Sequence, residues 1–128
     1  DAASKTASMT LEKAYAPESG MTSYRKTTAL TASGVTITND FTFDKERTAK
    51  LNLILCAKPE PVDETSFAVT SDDVRAVIRY TPGLAFSVEV LSLEEHPFWR
   101  RSYPNADAIY RVILSKKTSG KSLGVTVE

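Results

Sequence analysis

Val35-Thr36-Ile37-Thr38-Asn39-Asp40-Phe41-Thr42-Phe43 is the stretch that decides the fold class. Val35, Ile37, Phe41 and Phe43 recur at every second position against Thr36, Thr38, Asp40 and Thr42. Period two places alternate side chains on opposite faces of a sheet, so the stretch reads as a half-buried strand. Asn39 is the only polar residue on its apolar face. Immediately upstream, residues 23–32 are rich in Thr and lead into Ser33-Gly34, a pair suited to a tight hairpin turn. The two segments are expected to pair antiparallel.

The same reading extends outward. Residues 51–56, Leu-Asn-Leu-Ile-Leu-Cys, are more continuously apolar, which predicts a central strand covered on both faces. Residues 58–64 contain Pro59 and Pro61, each lacking a ladder donor, and predict a surface loop. Val74, Ala76, Ile78 and Tyr80 alternate with Arg75, Val77 and Arg79, and Leu84, Phe86, Val88 and Val90 alternate with Ala85, Ser87 and Glu89. Thr81-Pro82-Gly83-Leu84 between them has the residues of a type II turn, so a second hairpin is predicted. Residues 109–116 and 123–127 read as two last strands joined by a polar loop, residues 117–121. One short helix is predicted near the N-terminus, residues 8–15, where Leu11, Ala14 and Tyr15 share a face and Pro17 follows. The fold class is therefore all-β, an antiparallel β-sandwich of about seven or eight strands with one short N-terminal helix, forming a single domain over residues 1–128.

Bulk composition narrows the function. The 128 residues are 41% hydrophobic and 25% charged, an ordinary globular balance. Sixteen basic side chains cancel sixteen acidic ones, which leaves no global field to recruit nucleic acid or an anionic membrane. No stretch is apolar enough for a membrane-spanning helix. Cys56 is the only cysteine, which forbids an internal disulfide, and its apolar neighbours predict a buried, inert thiol. The opening Asp1-Ala2-Ala3-Ser4-Lys5 has no initiator Met, so a mature or excised piece is expected.

Few patterns carry chemistry. One Cys and one His fall short of a structural zinc set, and the acids of Asp63-Glu64 and Asp72-Asp73 lack EF-hand spacing, so no metal is expected. The five glycines are scattered singly, with no phosphate-cradling loop, and no cofactor is expected. His96 lies beside Glu94 and Glu95, but no nucleophile stands near it, so it reads as an exposed loop histidine and not as a catalytic base. The remaining candidate is Phe98-Trp99-Arg100-Arg101-Ser102-Tyr103. Trp99 and Tyr103 can stack on sugar rings while Arg100 and Arg101 bind carboxylate or sulfate, a set suited to an acidic glycan. In the competing reading Trp99 or Phe98 plugs the edge of the sandwich, with the arginines solvated or paired to Glu94 and Glu95.

Several segments in order resemble the C-terminal β-sandwich region of heparinase II/III-like polysaccharide lyases. They are Met9-Thr10-Leu11 through Ala14-Tyr15 with Pro17 and Gly20, Tyr24-Arg25-Lys26, Val35 to Phe41, Ile78-Arg79-Tyr80, Phe86-Ser87-Val88-Glu89, and Trp99 followed by Ile109-Tyr110-Arg111-Val112-Ile113-Leu114. The resemblance implies a non-catalytic accessory module of a secreted or periplasmic bacterial enzyme that cleaves uronate-containing glycans by β-elimination. Its implied partners are the α-helical toroid and other β-layers of the parent lyase, and acidic polysaccharide. The family's catalytic Tyr, His and Asn belong to those other parts, so the resemblance assigns no catalytic residue here. Trp99 belongs to the matching pattern, which favours its structural reading. The alternatives are a stand-alone carbohydrate-binding module and an immunoglobulin-like interaction module.

Overall fold

The computed structural model describes residues 5–128. Among the described residues, eight strands make one antiparallel sheet: β1 (Thr6–Thr10), β2 (Met21–Leu30), β3 (Val35–Leu55), β4 (Glu60–Asp63), β5 (Ser66–Ser71), β6 (Val74–Tyr80), β7 (Ala85–Ser92) and β8 (Ala108–Val127). One short helix, α1 (Pro97–Ser102), interrupts them. The all-β class read from the sequence is the observed class.

Two long strands organise the molecule. β3 and β8 pair antiparallel in two stretches, residues 35–42 with 120–127 and residues 47–55 with 110–118, separated by a register shift. Such an irregularity bends a strand pair. The first stretch is flanked by β2 and β1 on one side and by β6, β5 and β4 on the other. In the second, β8 continues between β3 and β7. The sheet thus folds over into a wide layer of seven strands and a narrow layer of three. Between them lies a core containing Phe41, Ile78, Tyr80, Leu123 and Val125 from the wide layer and Ala49, Val112 and Leu114 from the narrow one. Phe67 on β5 completes it, with its ring centroid 5.5 Å from that of Phe86 on β7.

The β2–β3 hairpin forms as expected, with Leu30 opposite Val35 and Tyr24 opposite Phe41. Several other expectations are overturned. Residues 8–15 form no α-helix: β1 pairs with β2, and only a 3-10 turn, Glu12–Ala14, follows. The stripe of Leu11, Ala14 and Tyr15 is too short to offset helix nucleation, and no side chain caps it. The polar residues 117–121 are not a loop between separate strands but part of one strand, β8, which bends there with the charged Asp44-Lys45-Glu46-Arg47 of β3. Residues 51–55 are not central, since β3 pairs there only with β8; Ile54 is 57% exposed, and Cys56 is exposed and not buried. Residues 60–63 are a strand at the sheet's outer edge, where proline's missing N–H is tolerated. β5, which the sequence reading passed over, pairs with β6 around a turn in which Asp72 has φ +51. β6 and β7 do not form a hairpin; each pairs with a different half of β8, so Thr81 to Leu84 carries the chain from the wide layer to the narrow one.

Candidate functional site

The unequal widths of the layers leave a gap. On β2, Met21 and Tyr24 lie opposite Phe43 and Phe41, so they face inward, yet the narrow layer ends at β3 and does not reach them. The result is a cleft of about 460 Å³ between β2 and residues 48–51 of β3. Tyr15, Phe41, Phe43, Leu51 and Leu123 add to its largely apolar lining. Its base is closed by the turn at Gly20, whose φ of +66 is the left-handed conformation that glycine adopts without strain. Gly20 accepts a hydrogen bond from the Asp44 amide at 2.8 Å. Beside it the Arg47 guanidinium donates to Asp44 Oδ1 and Oδ2 at 2.8 and 3.0 Å, which holds the Asp44 carboxyl below its ordinary pKa.

One polar chain crosses the floor. Tyr24 Oη donates to Asn39 Oδ1 at 2.8 Å, and Asn39 Nδ2 donates to the Leu123 carbonyl at 3.3 Å. Asn39 is buried, so the polar residue singled out on the apolar face of its strand is a satisfied core group. Burial pushes the Tyr24 phenol up, and the neighbouring Tyr15, with ring centroids 5.7 Å apart, adds to the shift. Sequence reasoning did not find this cleft. The available signal was the group of Tyr15, Met21 and Tyr24, large side chains in a stretch otherwise rich in Thr and Ser.

The glycan-binding candidates lie elsewhere, on and just beyond α1. Trp99 is half-buried against His96, with ring centroids 4.8 Å apart, while Phe98 is 77% exposed and Tyr103 is 42% exposed. Arg100 donates to the Ala106 carbonyl at 3.0 Å, and Arg101 is exposed. Neither arginine forms an ion pair with Glu94 or Glu95. The structure therefore gathers these residues on one surface segment. His96 is exposed at the start of α1. Among the described residues, no three His, Cys, Asp or Glu side chains are grouped as metal ligands. No helix among them is long and apolar enough to cross a membrane.

A second depression lies on the outer face of β2 and β3, lined by Glu12, Arg25, Asp40, Lys121 and a row of hydroxyls. The Thr42 hydroxyl is hydrogen-bonded to those of Thr22 and Ser23, each at 2.6 Å. Comparison with known proteins adds no relative: no family model matches the chain, and no curated protein matches it.

Proposed function

We propose that this chain is a non-catalytic β-sandwich module that packs against neighbouring protein, within a heparinase II/III-like polysaccharide lyase acting on acidic, uronate-containing glycans. The observation that carries the packing role is the mismatch of the layers: inward-facing Met21 and Tyr24 have no strand of the narrow layer above them. Apolar surface of this kind is normally covered in a working protein. The lyase parentage rests on the ordered sequence resemblance, and the all-β fold is what that resemblance implies. A secreted or periplasmic bacterial location follows from the same resemblance. The bound parts would be the toroid and other β-layers of the parent enzyme.

The test joins two measurements. The melting temperature of the isolated chain is compared with that of the same chain expressed together with the sequence upstream of Asp1 in its reading frame. A higher, shared melting transition in the longer protein is expected; independent transitions at unchanged temperatures would refute the packing role. The isolated chain is then run through gels containing heparin, alginate or a neutral glucan, where no retardation is expected. A second reading, a carbohydrate-binding module, is favoured by the exposed Phe98 and Tyr103 beside arginines free of acidic partners. Retardation by an acidic glycan that disappears in Trp99→Ala would establish that reading instead.

A further inference from the structure

The geometry points to residues 47–55 of β3 as an acceptor edge for one added β-strand, whose inward side chains fill the cleft beside it. This deepens the packing role proposed above and rests on it.

Three observations converge. First, residues 47–55 pair with β8 on one side and with nothing among the described residues on the other, so alternate backbone N–H and C=O groups face outward. An unpaired edge is a template for another strand. Second, that edge borders the cleft directly: Thr48, Ala49, Lys50 and Leu51 line it opposite Tyr24 and Met21. A strand laid along the edge, about 5 Å away, would sit beneath β2 and close the gap. Third, the only charged side chains along residues 47–55 are basic, Arg47, which is paired with Asp44, and Lys50. Lys50 and Lys117 lie on the solvent face of the narrow layer, and Lys26 lies on the inner face of β2. None of the three forms an ion pair among the described residues. The occupant is therefore an extended protein segment that alternates apolar side chains with polar ones and carries carboxylates.

The overhang also selects against a second copy of the chain. β2 and β1 project beyond β3 by two strand spacings, about 10 Å. Two such overhangs would meet before the two β3 edges came within hydrogen-bonding distance. A single segment has no such obstruction.

The test uses the isotopically labelled chain and a blocked octapeptide probe with the repeating unit Thr-Leu-Glu-Val. Nuclear magnetic resonance should show saturable shifts in the amides of residues 47–55 and in the rings of Tyr24 and Phe43. Methylating alternate peptide nitrogens should weaken binding by about tenfold or more, because the added ladder is lost. Replacing the probe's glutamates by lysine should also weaken it, and Lys50→Glu, an exposed substitution, should reverse that preference. Leu51→Arg should abolish binding; if it unfolds the chain, the Lys50→Glu reversal decides alone. No saturable shift at millimolar probe would overturn the proposal, as would shifts centred on β1 or β7. A dimer that protects residues 47–55 from hydrogen exchange would overturn the choice of occupant. If the longer protein melts higher yet the probe leaves residues 47–55 untouched, only the strand site fails. If the melting temperature does not rise, the packing role fails with it.

Discussion

At Phe67 the two layers meet with no accessible surface left, whereas at Tyr24 the same wide layer faces a cleft. Both places are lined by aromatic and aliphatic side chains, so composition does not separate them. What differs is the number of strands overhead: Phe67 lies beneath Phe86 on β7, and Tyr24 lies beyond the last strand of the narrow layer. Burial here follows from topology, and hydrophobic patterning alone does not reveal where a layer ends.

Substitutions at the two places break or sharpen this contrast. Phe67→Ala should cost about 3–5 kcal/mol in urea unfolding, since a fully packed ring leaves a cavity. Met21→Ala, at a side chain already bordering open space, should cost about 1 kcal/mol. Equal losses would mean that the cleft closes in solution. Gly20→Ala tests the cleft's base: the new Cβ would strike the Arg47 and Asp44 side chains from a left-handed backbone. It should cost about 1–3 kcal/mol by the same measurement.

Tyr24→Phe is expected to cost about 1 kcal/mol by leaving Asn39 Oδ1 without its donor. It should also change the alkaline limb of stability. The Tyr24 pKa is raised in the folded protein, so its contribution is fully present below the unfolded phenol's pKa of about 10. That contribution is lost as pH rises through the higher folded value. The stability difference between the parent and Tyr24→Phe should therefore shrink above about pH 10, which pH-dependent urea titrations would measure. The smallest effect belongs to the exposed Arg111–Glu89 pair across β8 and β7, where Glu89→Gln should cost less than about 1 kcal/mol and less again at high salt.

The period-two run from Val35 to Phe43 was readable because one face is buried along its length, and its hairpin with β2 followed from Ser33-Gly34. The bends were not readable. Asp44 to Arg47 and residues 117–121 have turn-like composition because both stretches face solvent where the sheet folds over, yet the backbone remains extended through them. Leu51 to Cys56 misled for a related reason. Its apolar run suits a covered strand, but its place at an edge depends on how many strands lie beyond it, which no local window contains. The cleft was hidden because its walls come from residues 15–24, from β3 and from Leu123. The segment around Trp99 stands out in the sequence by its aromatic and basic residues, and the structure locates it on a short helix and its following loop.

The position of β8 has a consequence for how the molecule is made. Of the described strands, β8 follows all the others in sequence yet is the central strand of both layers, and Val35 must find Val127. Neither β3 nor β6 nor β7 can complete its pairing until β8 is synthesised. Pairings so distant in sequence form slowly, because long loops must close before the contacts that reward them exist. Until β8 emerges, residues 47–55 of β3 and the whole of β7 have no strand to pair with, although the β2–β3 and β5–β6 hairpins can already form. During that interval a chaperone has the greatest influence on whether the chain reaches its native state.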